Sequence, residues 1–296
     1  MADSILLTGG GTGGHVYPNV AVAQAMRGRN PAIRVHYCGR SGGIEETIAS
    51  RNDFDFRSVL AAPFPGLRKP LHLLKFLLIL GIGTLQASIH LIRTRPATLV
   101  ATGGYVAAPC VFAAVGMRFL RILRIRIFVH EQNASPGKLN RLVARFADVV
   151  GLSFAGMEGQ LPPGAPVRYV GYPVRPSLRE EAGKPGGAPN MELPESLKGI
   201  PEGRTVLLAF GGSTGARTIN RAVVDALPVL SRREDIFVLH GIGEGRASGY
   251  DPAGDVDGRI EGLELAQPLE RFYRRLPYLH DMGAVYAAAS LVVSRA

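Results

Sequence analysis

The chain has 296 residues, a length typical of two domains because one domain usually contains about 150 residues. Hydrophobic residues make up 46% of it and charged residues 20%, which excludes a disordered chain and predicts a globular one. The two cysteines, Cys38 and Cys110, are far apart and lack metal-ligand spacing, so a disulfide scaffold and a zinc-thiolate site are excluded. The opening residues form no signal-peptide pattern, which favours a cytoplasmic protein.

Short apolar runs that are typical of buried strands recur along the first half of the sequence. They cover residues 4–8, 34–38, 98–101, 125–130 and 148–152. Because stretches with helical patterns separate them, the order of elements predicts an α/β fold with a parallel sheet.

A strand followed by a glycine-rich loop and a helix occurs twice. The first strand covers residues 4–8 and its loop residues 9–14, while the second strand covers 205–210 and its loop 211–216. A shift of 202 residues superposes the two copies and places Gly9 on Gly211. This repeat predicts two doubly wound, Rossmann-like domains that face each other across a cleft. We place the domains at residues 1–171 and 172–296, with a Pro/Gly-rich connector at 183–203.

The positive charge is concentrated in one segment. The formal net charge is +10, and residues 56–130 contain ten cations and no carboxylate. The same segment holds the apolar run 71–80, and cations beside apolar side chains suit an anionic membrane surface. Nucleic acid is disfavoured because the cations alternate with Leu, Ile and Phe and no nucleic-acid motif is present. A buried helix whose basic neighbours face water remains the alternative.

The longest apolar stretch, residues 76–89, does not predict a membrane-spanning helix. It is interrupted by Gly81, Gly83 and Gln86 and is shorter than the ~20 residues that spanning requires.

The first glycine loop could bind a diphosphate, because a loop that enters a helix presents backbone N–H groups to an anion. Gly9, Gly11 and Gly14 satisfy the dinucleotide-binding spacing. However, Arg40 follows the second strand where such proteins have an acid, and the next acid is Glu45. An NAD-dependent dehydrogenase is therefore disfavoured, while Arg40 leaves an NADP-dependent one open.

Polar clusters follow two other strands, at residues 102–105 and 130–133. Ligands of such sheets bind at the carboxyl ends of strands, so both clusters and His15 are expected to converge on one cleft and hold sugar hydroxyls. Capping of the next helix is the structural alternative. Two Asp-x-Asp triplets, at residues 53–55 and 255–257, are interpreted as solvated loops rather than metal sites.

Five motifs together resemble the MurG family, which moves N-acetylglucosamine from its UDP carrier to the undecaprenyl-diphosphate-linked muramyl-pentapeptide of peptidoglycan synthesis. They lie at residues 9–18, 103–106, 130–133, 172–175 and 211–216. The resemblance implies the GT-B architecture, with the acceptor on the first domain and UDP-N-acetylglucosamine mainly on the second. It also implies an inverting displacement without metal or cofactor, by a peripheral protein on the cytoplasmic face of the inner membrane.

The same resemblance assigns roles to individual residues. His15 is the expected general base, because the helix N-terminus disfavours its imidazolium form, and Glu131 is the second catalytic candidate. The expected substrate-binding residues are Thr12, Gly13 and Gly14 beside the reacting centre, Asn133 at the donor sugar, Arg175 and Ser213 at the diphosphate, Leu279 at uracil, and Tyr105 and Asn140 on the acceptor side. Two positions depart from the family pattern: Tyr172 stands where the family usually has Asn, and Ala134 follows Asn133 where a Gly is common.

Two further expectations concern the chain as a whole. The stretch from Thr205 to Ala296 is shorter than the ~100–150 residues of a typical domain and ends on a buried-strand pattern, so we expect the second domain to be incomplete and donor affinity weakened. A non-catalytic protein of the membrane surface that binds a nucleotide or a lipid diphosphate remains the alternative function.

Overall fold

The computed structural model describes residues 4–175, 178, 195–245, 249–279 and 282–295. The chain forms two compact units, Met1–Pro176 (unit 1) and Ser177–Ala296 (unit 2). The predicted boundary, between residues 171 and 172, lies slightly before this division. Most of the predicted connector at 183–203 lies outside the described residues.

Unit 1 contains a parallel sheet of seven strands in the order β3-β2-β1-β4-β5-β6-β7. The strands are β1 (Ser4–Thr8), β2 (Arg34–Gly39), β3 (Asp55–Ser58), β4 (Thr98–Ala101), β5 (Arg126–Glu131), β6 (Val149–Leu152) and β7 (Val167–Tyr169). All five predicted strands are present to within a residue at each end. The sequence did not predict β3 and β7, because these short edge strands are half-exposed and lack a continuous apolar run.

Helices cover both faces of this sheet. They are α1 (Gly13–Arg29), α2 (Ile44–Arg51), α3 (Pro70–Thr94), α4 (Ala108–Phe119) and α5 (Lys138–Val143). Successive side chains of a strand point to opposite faces, so Ile5 and Leu7 pack with α1 and α2 while Leu6 packs with α3 and α4. Unit 1 is therefore doubly wound, as predicted.

Helix α3 is longer than the apolar run that predicted it. It has 25 residues, and by length and composition it could cross a membrane, so the estimate of a 14-residue apolar stretch was too short. Two of the supposed interruptions fix the helix to its unit. A Cβ at Gly83 would lie 2.0 Å from the Leu60 carbonyl oxygen, and Gln86 Oε1 accepts a hydrogen bond from Leu60 N at 2.8 Å.

Unit 2 contains a parallel sheet of four strands among its described residues, in the order β10-β9-β8-β11. The strands are β8 (Thr205–Phe210), β9 (Ile236–Gly241), β10 (Tyr273–Leu276) and β11 (Ala289–Ser294), and the helices are α6 (Arg217–Leu230), α7 (Pro252–Ile260) and α8 (Met282–Ala288). Strand β8 has the predicted bounds, and its buried Leu208 and Ala209 contribute to the cores on the two faces of the sheet.

The last strand, β11, corrects one expectation. Its sequence pattern predicted burial, but Leu291, Val292 and Val293 are exposed by 40% or more. Strand β11 pairs with β8 and lies at the edge of the described sheet, where its side chains are covered less than those of a central strand.

The interpretation as a solvated loop was wrong for the second Asp-x-Asp triplet and for Asp55 of the first, whereas Asp53 is exposed in a turn as predicted. Asp255 and Asp257 lie on α7, where Arg221 and Arg275 bind them at 2.8 and 2.6 Å. In the first triplet, Asp55 begins β3 and lies 2.8 Å from His36 Nδ1. Ion pairs inside each unit therefore account for Asp55, Asp255 and Asp257.

Candidate functional site

The first glycine loop, residues 9–14, is tied to the end of β4 by buried hydrogen bonds. Tyr37 donates its hydroxyl proton to the Gly9 carbonyl oxygen at 2.6 Å. Asn19 donates from Nδ2 to the Thr8 carbonyl at 3.1 Å and to Thr102 Oγ1 at 2.9 Å. These bonds fix the loop relative to the residues that follow β4.

The segment after β4 packs directly on this loop. Gly104 has a φ of +75°, and a Cβ there would lie 2.3 Å from the Gly10 carbonyl oxygen, so the close approach requires glycine. The ring of Tyr105 lies beside Gly11, since a Cβ at Gly11 would be 3.1 Å from Tyr105 Cε1. The two segments therefore form one surface at the carboxyl ends of β1 and β4.

His15 lies in the first turn of α1, next to this surface. Its Nδ1 is 2.9 Å from the Thr102 carbonyl oxygen and 3.3 Å from Gln132 Oε1. Both partners accept hydrogen bonds, so the proton of the neutral ring belongs on Nδ1. Nε2 then carries the lone pair, and it can accept a proton from a substrate hydroxyl.

Gln132 links His15 to a second histidine. Its Nε2 lies 3.2 Å from His130 Nδ1, and His130 Nε2 lies 3.0 Å from the Gly171 carbonyl oxygen. Because Gln132 donates and the carbonyl accepts, His130 carries its proton on Nε2. Burial lowers the pKa of His130, which keeps this ring neutral. The predicted convergence of His15 with the clusters after β4 and β5 is thus present in unit 1.

Glu131 is buried, and its carboxylate accepts four hydrogen bonds. Oε1 accepts from the backbone N and Nδ2 of Asn133, at 3.0 and 3.1 Å. Oε2 accepts from Gly137 N and from Asn140 Nδ2, both at 2.8 Å. A carboxylate whose oxygens are engaged in this way is suited to hold the loop after β5. The geometry therefore favours a positioning role over the predicted catalytic one.

The second glycine loop, residues 211–216, lies in unit 2. Gly243 and Gly215 both have positive φ, and a Cβ at Gly243 would lie 2.0 Å from Gly215 N. Glu244 donates its backbone N–H to the Ser213 carbonyl oxygen at 2.9 Å. The segment after β9 therefore holds this loop, much as the segment after β4 holds the first.

The comparison with known proteins gives two family models. The glycosyltransferase family 28 N-terminal domain matches residues 5–152, and the corresponding C-terminal domain matches residues 206–296. The UDP-N-acetylglucosamine--N-acetylmuramyl-(pentapeptide) pyrophosphoryl-undecaprenol N-acetylglucosamine transferase of Desulforudis audaxviator is 33% identical, over 98% of this chain and 72% of its own. The protein of the same name from Geotalea uraniireducens is 34% identical, over 99% and 72%.

A solved structure supports the same assignment at the level of the fold. The crystal structure of MurG from Acinetobacter baumannii matches 99% of this chain and 73% of its own, with a TM-score of 0.59 at 22% identity. The chain belongs to the MurG family. The predicted GT-B fold class is thereby confirmed, with a second unit smaller than the first.

The residues to which the MurG resemblance gave roles fall into both units. Thr12, Gly14 and Asn133 are exposed in unit 1, and Gly13 is half-buried. Arg175 is half-buried in unit 1, with its guanidinium 4.6 Å from the centre of the Tyr17 ring. Ser213 is exposed in unit 2. Joint binding of the diphosphate by Arg175 and Ser213 stays a prediction.

Two of these residues are buried. The side chain of Leu279 packs against Gly241, so any contact with uracil would use its backbone. Asn140 is 2% exposed and donates to the His130 carbonyl at 3.1 Å as well as to Glu131. The Asn140 side chain therefore lies on the buried side of the loop after β5. This position favours a role in supporting the loop over the predicted contact with the acceptor.

The sequence analysis did not single out Asn19 or the role of Gln132. Asn19 follows His15 by four residues, so the two lie on one face of α1, and a polar residue there was a usable signal. The link from Gln132 to two histidines depends on contacts that only folding creates. In the described residues, no group of three or more His, Cys, Asp or Glu side chains could hold a metal ion.

A buried histidine at the end of β9 was also missed. His240 Nδ1 lies 3.0 Å from the Tyr273 hydroxyl, and Nε2 lies 3.2 Å from Asn220 Oδ1. Burial lowers the pKa of His240 from its ordinary value of 6.5 to about 4. The folded chain therefore resists protonation of this ring, which the unfolded chain accepts readily.

Acidification is expected to destabilise unit 2 through His240. Because the folded pKa is depressed, the stabilisation is complete above pH 6.5 and is lost as the pH falls from about 6.5 towards 4. Between pH 7 and pH 4.5 the loss amounts to about 2 kcal/mol in the free energy of unfolding. Urea denaturation at both pH values should show a smaller drop for His240→Gln than for the unmodified chain. The exposed His72→Gln variant should keep the full drop, and equal drops in all three proteins would contradict the assignment.

Proposed function

We propose that the chain transfers N-acetylglucosamine from UDP-N-acetylglucosamine to the undecaprenyl-diphosphate-linked muramyl-pentapeptide in peptidoglycan synthesis. Relatives that carry this activity in their names match 98% or more of the chain. The observation that carries the proposal is the tautomer of His15. Its Nδ1 is engaged by the Thr102 carbonyl, which leaves Nε2 for a proton from the acceptor.

The reaction is a single displacement with inversion. The C4 hydroxyl oxygen of the acceptor sugar attacks the anomeric carbon of the donor while its proton passes to Nε2 of His15. The bond from the anomeric carbon to the UDP oxygen breaks, and its electron pair leaves with UDP. Backbone N–H groups at the start of α6, with Ser213, stabilise the departing diphosphate. This route uses no metal or other cofactor.

Incubation of the chain with the two substrates tests the proposal. We expect UDP release that depends on the lipid-linked acceptor, formation of the disaccharide product, and an unchanged rate in EDTA. Binding of UDP-N-acetylglucosamine without acceptor-dependent UDP release would instead support a non-catalytic binder. Release of UDP without acceptor would indicate hydrolysis and would also contradict the proposal.

We further propose that unit 1 docks peripherally on the anionic cytoplasmic leaflet through α3. Seven apolar residues, each at least 40% exposed, follow one another at spacings of three or four along this helix, and we name them the docking stripe. They are Leu71, Leu74, Leu78, Ile82, Leu85, Ile89 and Ile92. At about 100° per residue these positions share one side of the helix.

The opposite side of α3 is bound to the rest of unit 1. Gly83, Ala87 and Leu91 are buried there. A helix held along one side by its own domain can insert only its free side into a membrane, which favours peripheral docking over spanning. Exposed Lys75 and Arg93 lie on the same helix, where they can bind anionic headgroups.

Vesicle binding is expected to depend on both the docking stripe and the charge. The chain should co-sediment with vesicles that contain anionic lipid, and less so at high salt, because charges are screened over ~10 Å at 0.1 M. The double variant Leu74→Glu, Leu78→Glu should lower the affinity about tenfold or more, since two leucines lose apolar burial. Val229→Glu alters a side chain of unit 2 that is 69% exposed and should bind normally. Equal binding to neutral vesicles, or none to either kind, would contradict the proposal.

A further inference from the structure

One buried carboxylate beside the first glycine loop has no role in the reaction described above. Glu45 lies in the first turn of α2 and is 1% exposed. Its Oε1 accepts a hydrogen bond from Arg40 N at 3.0 Å, and its Oε2 accepts one from Gly11 N at 3.4 Å. The carboxylate of Glu45 thus binds a backbone N–H of the first glycine loop, that of Gly11.

Three glycines make room for this side chain. A Cβ at Gly10 would lie 2.7 Å from Glu45 Cδ, one at Gly39 would lie 2.5 Å from Cγ, and one at Gly43 would lie 2.6 Å from Cδ. Side chains at these positions would displace Glu45. The absence of side chains on the first loop and on the stretch from β2 to α2 therefore lets the carboxylate reach the loop.

The position of the carboxylate matters because of what such loops bind. In a loop between a strand and a helix, backbone N–H groups attract phosphate oxygens. At Gly10 and Gly11 this place is filled by the carboxylate of Glu45. An incoming phosphate would meet both a filled volume and a like charge, and burial strengthens the repulsion between them.

The second glycine loop has the opposite charge at its corresponding glycine. Gly212 corresponds to Gly10 in the sequence repeat. Apart from Gly212 itself and its two chain neighbours, the only atom of the described residues within 4 Å of a Cβ at Gly212 is Nη2 of Arg295, at 3.9 Å. A cation beside this loop favours a phosphate where Glu45 opposes one at the first loop.

We propose that Glu45 is a specificity-determining residue that closes the Gly10–Gly11 side of the first loop to phosphate groups. This proposal rests on the proposed function and deepens it. The donor diphosphate is left to the loop of unit 2, and the diphosphate of the lipid-linked acceptor must be held by residues other than Gly10 and Gly11. The same contact would prevent the dinucleotide-type glycine spacing of unit 1 from forming a dinucleotide site. The same contact disfavours an NADP-dependent enzyme, because the diphosphate of NADP would have to bind the first glycine loop.

Pyrophosphate titration of Glu45→Ala tests the proposal without any sugar transfer. The amide NMR signals of Gly10 and Gly11 are followed in the unmodified chain and in the variant. In the variant, inorganic pyrophosphate should shift both signals with an affinity about tenfold or more above that of the unmodified chain, because the competing charge and volume are gone. In the unmodified chain the same pyrophosphate concentrations should move these two signals much less.

Glu46→Ala is the matched control. Glu46 lies on the same helical turn, but its carboxylate accepts from Gly42 N at 2.6 Å and not from the first loop. This variant has the same change of charge and should behave like the unmodified chain. Glu45→Ser replaces Glu45→Ala if the latter does not fold, since it removes the same charge and leaves a small polar side chain.

Two results would overturn the proposal. One is a folded Glu45 variant in which pyrophosphate leaves the Gly10 and Gly11 signals unmoved. The other is an unmodified chain in which it moves them as strongly as in the variant. A chain that fails in the transfer assay but shows the expected shifts would contradict the proposed function and leave the role of Glu45 standing.

Discussion

Replacement of His15 by alanine is expected to lower kcat for sugar transfer about 100-fold or more relative to the unmodified chain. The acceptor hydroxyl would lose the group that takes its proton, whereas no donor-binding contact is removed. Donor affinity, measured by calorimetry with UDP-N-acetylglucosamine, should therefore stay nearly unchanged. The rate is measured as UDP release at saturating concentrations of both substrates.

His90→Ala is the control for the His15 variant. His90 lies on α3, and its ring contacts the Ser58 carbonyl oxygen at 3.3 Å, away from the two loops of the candidate site. Its loss should leave kcat within about twofold, because no group of the proposed reaction is touched. A His15→Ala chain that turns over at nearly the normal rate would refute the assignment of the base and direct attention to Glu131.

Replacement of Glu131 by alanine is expected to lower the free energy of unfolding by about 3 kcal/mol, because a buried acceptor of four hydrogen bonds is removed. Asn140, which is buried, would be left with an unpaired donor. The rate should fall as well, since the loop after β5 carries Gln132 and Asn133. Urea denaturation gives the stability, and the pH dependence of kcat/KM separates a positioning role from a catalytic one.

The pH profile decides between the two roles of Glu131. If His15 is the base, a Glu131→Gln chain should be slower and less stable but keep the acidic limb of its profile. Loss of that limb with unchanged stability would make Glu131 the base and would contradict the positioning role. Glu158 is an exposed carboxylate of unit 1, and the Glu158→Ala variant should change neither the stability nor the pH profile.

Much of the candidate site could be predicted from local sequence. The glycine loops, the strands that precede them and the polar residues after β4 and β5 are short motifs. Their backbone conformations depend mainly on neighbouring residues. The contacts of His15 could not be predicted in this way. Its partners Thr102 and Gln132 lie 87 and 117 residues further along the chain, and the tautomer follows from these distances.

The two glutamates illustrate the same limit. In sequence, Glu131 is a polar residue at a strand end, and Glu45 is an acid too far from the second strand to bind a ribose. Folding surrounds Glu131 with donors, which makes it a support for its loop. It also brings Glu45 against Gly10 of the first loop, which is 35 residues away in the sequence. The role of each carboxylate is set by which donors and which empty volumes reach it.

The sequence by itself determined that this chain has two parallel α/β units of the MurG family, because strand, loop and helix patterns are local and repeat. It also placed the excess positive charge beside the apolar residues of α3. Only the tertiary structure decided which side of α3 is free, since Gly83, Ala87 and Leu91 are buried by contacts with other elements. Tertiary structure likewise decided that one glycine loop faces a carboxylate and the other a guanidinium. Burial and electrostatic environment depend on residues that are distant in sequence, and the fold alone brings them together.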